Sequence, residues 1–310
     1  MVYAVNMLVQ PNSVTVSQIT RNDVDAAMEI YLQNSLVCLR SVVEKNPEIK
    51  VVLCTDFDLP ETYRQAYEQM DTMIEKVEFR LSVASESNWS ICNYRYCVMG
   101  YLCEKLGEDD IVMMLDTDIV CVGSLAELLE DVREDVMLYD VSHARENRDR
   151  KNILLNYSRI YGQESNLIHY GGEFICTRVR NLKKLHQACL QVIADSNAFD
   201  DLLNFNDEHI TSIAVYRELR EKAHNSEAYI FRYWTGSFYL ASTNWENNPV
   251  ALWHLPAEKQ TGICAVYRYL CRHGRFPDRK QMAKMFGLPR AKRPDMVWFY
   301  VRKLVRKLRK

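Results

Sequence analysis

The sequence predicts an α/β protein: a mixed, mostly parallel central sheet flanked by helices, with a helical, basic C-terminal extension. Three observations carry that reading. Through the first half, short apolar runs alternate with segments whose apolar residues recur at helical spacing, the order that builds a parallel sheet covered on both faces. A chain of 310 residues can bury one large core and carry an appendage. The charge is lopsided, since residues 268–310 hold 15 Lys and Arg against Asp278 and Asp295, while the whole chain is formally −2.

The elements follow in order. Tyr3 to Val9 reads as the first strand, Asp25 to Glu44 as a helix, and Lys50 to Cys54 as a short buried strand. Asp58 precedes LPETYRQAYEQM, where Pro60 suits a first helical turn. Glu75 to Arg80 is a strand candidate, and Asn93 to Leu106 is helical in period, with Gly107 as its C-terminal stop. Ile111 to Leu115 is again a strand. In the second half Glu134 to Val141 holds a strand, and the charged HARENRDRKN after it reads as a solvated loop, or else as a flap over a site. Phe174 to Thr177 reads as a strand, Asn181 to Ala194 as an amphipathic helix, and Asp207 to Glu221 as another helix. Tyr229 to Arg232 and Val250 to Trp253 are short strands. No internal repeat or low-complexity linker interrupts the series.

Composition excludes several classes. No apolar run approaches the roughly 20 residues of a membrane-spanning helix. The first residues, MVYAVNMLVQPNSV, lack the basic start and long apolar stretch of a secretory signal, so a cytoplasmic protein is expected. The ten cysteines form no CxxC pair and mostly sit in apolar segments such as VVLC and FIC. That pattern points to reduced, buried thiols, with a structural zinc site as the alternative.

One segment breaks the pattern. In IVMMLDTDIV an apolar strand runs straight into Asp116 and Asp118, at the strand end where α/β sheets bind ligands. Carboxylates one residue apart on a strand point the same way, and two close anions repel unless a cation or proton intervenes. Mg²⁺ and Mn²⁺ favour such oxygen ligands and leave positions open for substrate phosphates. A cation bridging protein to a diphosphate explains the pair; a turn in which both side chains cap backbone amides is the alternative.

LDTDIVCVGSLAELLE resembles the metal-binding segment of retaining GT-A glycosyltransferases, particularly glycosyltransferase family 8. Upstream, SLVCLRSVVEKNPEIKVVLCTDFDLPETY is similar to that family's first helix and second strand, and NYRYCVMGYLCEKL to its arginine-bearing helix. Downstream, HYGGEFICTRVRNLKKL resembles its glycine-containing strand and helix, NDEHI its Asp-Gln-Asp region, and LWHLPAEK its late histidine segment. The motifs fall in the family's order over residues 1–262, the expected catalytic domain, and leave 263–310 as the extension.

The resemblance implies a Rossmann-like GT-A fold and a metal-dependent hexosyltransferase. It further implies Mn²⁺ or Mg²⁺, a UDP-sugar donor, a saccharide or glycolipid acceptor, and retention of configuration. Asp116, Asp118 and His254 would hold the metal. Arg95 and Lys259 would bring positive charge to the diphosphate, and Asp207 and Glu208 would face the sugar. Tyr3, Ala4 and Asn6, on the first strand, are candidate contacts to the base. Glu173 is a third carboxylate near these motifs. Three departures are visible. The family has asparagine before glycine where this chain has Tyr170-Gly171-Gly172-Glu173, and Asp-Gln where it has Asp207-Glu208. Its histidine is followed by glycine at +3 and lysine at +6, against Ala257 and Lys259 at +3 and +5 here.

Residues 294–310 have a separate logic. Val297, Val301, Leu304 and Leu308 share a helical face widened by Trp298 and Val305, and six cations populate the rest. Such a helix suits an anionic membrane surface, on the inner face of the cytoplasmic membrane in a cytoplasmic protein; a helix docked on the body is the alternative. A membrane-attached acceptor, such as a bacterial surface polysaccharide precursor, fits the first reading. No nucleic-acid-binding motif accompanies the charge, so nucleic acid is not an expected partner. Two other functions stay open. DTDIV also fits the nucleophile pattern of haloacid dehalogenase-type phosphatases, although those place it on the first strand. A catalytically inactive sugar- or partner-binding protein is the third reading.

Overall fold

The computed structural model describes residues 1–10, 24–81, 90–142, 148–235, 245–246, 248–288, and Met296, Val297, Tyr300, Val301, Leu304 and Val305. Its centre is a seven-stranded sheet in the order β3-β2-β1-β4-β7-β6-β8. β1 (Val2–Leu8) pairs in parallel with β2 (Lys50–Thr55) on one side and β4 (Ile111–Leu115) on the other. β3 (Met73–Lys76) extends the parallel half, and β7 (Tyr170–Arg178) runs antiparallel between β4 and β6 (Val136–Asp140). β8 (Ala223–Asn225) closes the far edge in parallel with β6. The strand order reverses between β1 and β4, so a crevice opens past their C-terminal ends.

Alternation along β1 distributes its side chains between the two faces. Ala4 and Leu8 join the core under α1 (Val24–Lys45) and α2 (Glu61–Glu68), with Leu36, Leu39, Tyr63 and Tyr67. Tyr3 and Val5 join the opposite core under α3 (Arg95–Lys105), α6 (Val179–Ser196) and α7 (Asp207–Ala214), with Met99, Leu102, Leu182 and Ile210. All five residues of β4 are buried, as a central strand covered on both faces requires. α4 (Ala126–Val132) and α5 (Arg148–Tyr161) complete this body.

A second sheet of three short strands, β5 (Ile119–Cys121), β10 (Leu252–His254) and β9 (Ile230–Arg232), stands beside the first. Trp253, fully buried, centres its core with Val120, Leu255, Ile263, Val266, Phe276 and Phe286. The last two come from around α8 (Cys264–His273) and α9 (Arg279–Met285), so the chain from Ile263 to Leu288 packs on this sheet. A Cβ on Gly262 would meet the Phe286 ring at 2.7 Å and its Cα at 3.0 Å, which shows how closely that segment is seated.

Several elements differ from expectation. β3 spans Met73–Lys76 rather than Glu75–Arg80 because its pairing with Val52–Thr55 sets the register. Within HARENRDRKN, the residues from Arg148 onward are the start of α5; residues 143–147 lie outside the described set. The helix expected over 207–221 is α-helical only to Ala214, then continues as a π turn and a 3₁₀ turn to Lys222. Gly107 follows α3 without a left-handed conformation; its N–H donates to Asp110 Oδ2 at 2.9 Å. All ten cysteines are free, six of them buried. In the C-terminal segment the six described residues are helical and exposed, from 36% at Met296 to 60% at Val297 and Leu304. Trp298 and Leu308 lie outside the described residues.

Candidate active site

Strand pairing assembles the site. Asp116, Thr117 and Asp118 form a tight turn between β4 and β5, with the Ile119 N–H donating to the Asp116 carbonyl at 3.2 Å. β10 lies antiparallel to β5 with His254 opposite Ile119, and the Leu255 N–H donates to the Asp118 carbonyl at 3.0 Å. Residues 136 positions apart in sequence are thereby held together by the backbone. The chain then coils through a 3₁₀ turn (Pro256–Glu258) into a π turn that begins at Lys259, which points back at the same carboxylate.

Asp118 is fully buried. Lys259 Nζ lies 2.8 Å from its Oδ2 and His254 Nε2 3.3 Å away, yet neither contact is aligned as a hydrogen bond, and both carboxylate oxygens are sealed from solvent. Burial alone would raise its pKa; Lys259 and His254 outweigh that and hold the carboxyl well below the usual range. Burial would lower the His254 pKa, but Asp118 and Glu173 on either side lift it to about 9. Asp116 is more open, its side chain 41% exposed. Its pKa is raised by desolvation in the cleft, opposed by Arg95 and reinforced by Asp118. Neither aspartate side chain caps a backbone amide among the described hydrogen bonds, which removes the simple-turn alternative.

Arg95 opens α3 and spans two carboxylates, Asp116 at 3.4 Å and Asp207 at 3.2 Å. Asp207 opens α7, where Asn206 is the N-cap and accepts from the His209 N–H at 3.2 Å. The N-cap role therefore falls to Asn206 and leaves Asp207 and Glu208 their side chains. Gly172 makes the approach possible: a Cβ there would sit 2.6 Å from Asp207 Oδ2 and 3.0 Å from an Arg95 nitrogen. Burial raises the Asp207 pKa against the pull of Arg95.

Glu208 is held from three sides. His169 Nε2 lies 2.7 Å from Oε2, the Gly172 N–H donates to Oε1 at 3.2 Å, and Arg232 lies 3.6 Å from Oε1. Burial opposes ionisation there, but His169 and then Arg232 keep its pKa below normal. Sequence reasoning missed His169 and Arg232. His169 directly precedes the Tyr170-Gly171-Gly172 stretch and was open to notice; Arg232 sits on a three-residue strand with no local signal.

Not every expected residue reaches the site. Tyr3 and Ala4 are buried mid-strand, and Asn6 is locked in the core, donating to the Leu115 carbonyl at 2.8 Å and accepting from Ser35 at 2.9 Å. The expectation that these three residues contact a base is corrected, since helices cover both faces of β1 and only its last residues reach the crevice. A cleft of about 120 Å³ at its end is lined instead by Val5, Met7, Leu8 and Val9, opposite Arg95, Asp116, Asp118 and Lys259.

A divalent cation fits this chemistry. Asp116, Asp118 and His254 each offer a ligand atom, all within 4.8 Å of one another, and Asp118 offers two buried oxygens without hydrogen bonds. The five carboxylates of the cluster outnumber its three permanent cations, Arg95, Arg232 and Lys259, by two charges when the imidazoles are neutral. With His254 at about 9, a proton occupies its ring near neutrality and must leave before a cation binds there. Apparent Mn²⁺ affinity is therefore expected to rise about tenfold per pH unit below pH 9, and titrations at three pH values check it; a flat profile contradicts it. Because the folded pKa lies above the ordinary 6.5, the imidazolium stabilises the metal-free fold fully below about pH 6.5. That contribution fades as pH rises toward 9.

No protein-family model and no curated protein sequence matches the chain. Solved structures do. The galactosyltransferase LgtC, in complex with donor and acceptor sugar analogues, superposes at a TM-score of 0.49 and 14% identity over 81% of this chain and 86% of that one. Mouse xyloside xylosyltransferase 1, in its apo form, superposes at 0.51 and 9% identity over 82% of this chain and 97% of that one. The latter likeness shows a shared fold, and the mixed, mostly parallel sheet flanked by helices is the GT-A architecture expected from the sequence.

Proposed function

We propose that the chain is a metal-dependent glycosyltransferase that moves a hexose from a UDP-sugar to a saccharide or glycolipid acceptor, with retention. The observation that carries this reading is the convergence of Asp116, Asp118, His254, Lys259 and Arg95 at the sheet's switch point. Asp116, Asp118 and His254 would hold Mn²⁺ or Mg²⁺, which when bound supplies positive charge for the departing diphosphate. Lys259, 2.8 Å from Asp118, and Arg95, 3.4 Å from Asp116, would bring fixed cations to the same place for the diphosphate. Asp207, held by Arg95, and Glu208, held by His169, face the sugar and support an oxocarbenium-like centre.

The test is release of UDP from a panel of UDP-hexoses with and without Mn²⁺. Metal-dependent release supports the proposal. Phosphomonoester hydrolysis instead would favour the phosphatase reading, and neither activity would favour a binding protein. Glu208→Gln, which restores the residue of the resembled family, is expected to lower turnover about a hundredfold while changing nucleotide affinity less than about threefold. Equal turnover would make Glu208 structural.

The C-terminal segment supports peripheral attachment to an anionic membrane, on the cytoplasmic side, with a lipid-linked acceptor for bacterial surface polysaccharide. No described helix is long and apolar enough to cross a membrane. Val297, Val301, Leu304 and Val305 are exposed on one helical face amid a stretch rich in Lys and Arg. Deleting residues 294–310 is expected to weaken binding to anionic vesicles while leaving metal binding unchanged. The intact chain's binding should fall with salt, because surface attraction is screened within about 10 Å at 0.1 M. An intact chain that ignores such vesicles would refute the attachment.

A further inference from the structure

We infer that Glu173 and Arg232 are a positioning pair that fixes the His254 imidazole as a metal ligand and joins the metal half of the site to the sugar half. The inference rests on the proposed metal role of Asp116, Asp118 and His254. Glu173 is 1% exposed and sits on β7 facing both residues. Its Oε1 lies 3.0 Å from His254 Nδ1, while Arg232 grips the carboxylate with two nitrogens, Nε to Oε1 at 2.6 Å and an Nη to Oε2 at 2.5 Å. A two-pronged guanidinium contact leaves the carboxylate little freedom to rotate.

The consequence falls on His254. With its Nδ1–H donated to Glu173, the other nitrogen, Nε2, is the one turned toward Asp118 Oδ2 at 3.3 Å. A metal-ligating histidine needs this arrangement: an outer carboxylate selects which ring nitrogen keeps the proton and aims the other at the ion. Backbone pairing enforces it, since β9 and β10 place Arg232 directly beside His254 in register. Gly171 leaves the room, because a Cβ there would sit 2.0 Å from Glu173 Oε2 and 2.6 Å from an Arg232 nitrogen. Arg232 then reaches on to Glu208 Oε1 at 3.6 Å. One chain of contacts therefore runs from Asp118 through His254, Glu173 and Arg232 to Glu208.

A pair that merely bridges the two sheets would be equally buried, so the test separates the roles. Mn²⁺ binding by the full chain is titrated by electron paramagnetic resonance for wild type, Glu173→Gln and the double variant Glu173→Gln with Arg232→Met, each with a thermal melt. Glu173→Gln is expected to weaken Mn²⁺ binding about 10–100-fold. The double variant, which removes both charges of the pair and leaves Glu208 held by His169, should melt close to wild type and still bind Mn²⁺ weakly. Recovery of both properties in the double variant would reduce the pair to a structural bridge and overturn the inference. A wild type that binds Mn²⁺ no more tightly than the variants would do the same, whereas a wild type that binds none would overturn the metal reading along with it. A readout without any substitution is the ¹⁵N spectrum of the histidines in the Mg²⁺-loaded wild type. His254 should keep its proton on Nδ1; a proton on Nε2 would refute the positioning role.

Discussion

Asp118→Asn is expected to weaken Mn²⁺ binding by more than about a hundredfold, beyond the 10–100-fold typical of losing an outer-shell partner. It removes a proposed charged ligand whose two oxygens are buried and without hydrogen bonds. It also strips Lys259 and His254 of the anion they face. Breaking a buried ion pair by removing one partner costs about 3–5 kcal/mol, so the variant should melt earlier as well. Combining it with Lys259→Met removes the stranded charge and should recover most of the stability without recovering the metal. Melting curves and Mn²⁺ titrations of both variants check this, and wild-type affinity in either would remove Asp118 from the ligand set.

Arg95→Met carries the second large effect. The guanidinium is almost wholly buried and is the shared partner of Asp116 and Asp207. Burial would lower its pKa, but Asp207 and Asp116 raise it, so the charge is permanent. Its loss leaves Asp207 buried against an apolar chain and removes a fixed cation from the proposed diphosphate position. UDP release from the preferred donor should slow by about 10²–10³, the usual penalty for one preorganised electrostatic contact. Adding Asp207→Asn should restore stability and leave the rate low. Near-normal release by Arg95→Met would mean that the arginine only neutralises the carboxylates around it.

Much of this molecule was legible in local pattern. The apolar runs at Lys50 to Cys54 and Ile111 to Leu115 became β2 and β4, and the helical spacing of Asp25 to Glu44 became α1 within a residue at each end. These signals are local, since strand and helix periods are set by backbone geometry and by the need to bury one face. Asp116 and Asp118 stood out for the same reason, as charges where a buried strand should have ended in neutral turn residues. Where the pattern carried less contrast it failed. The charged start of α5 read as a loop because its exposed face dominates the sequence, and the π and 3₁₀ turns after Ala214 have no signature of their own.

By itself, then, the sequence determined the order of elements from β1 to β4, the α/β class, the basic C-terminus and the identity of the charged residues. Tertiary structure alone decided which of those charges meet. The register of β10 on β5 set His254 beside Asp118, and that of β9 on β10 set Arg232 beside His254. The glycines at 171 and 172 let Glu173 and Asp207 close on their arginines. Asn6 and Tyr3, expected as contacts to a base, lie on opposite faces of β1 and are buried because packed helices cover both. Local periodicity encodes which face a residue takes, but charge pairing across strands depends on registers fixed only when distant segments pack, and no window of sequence contains both partners.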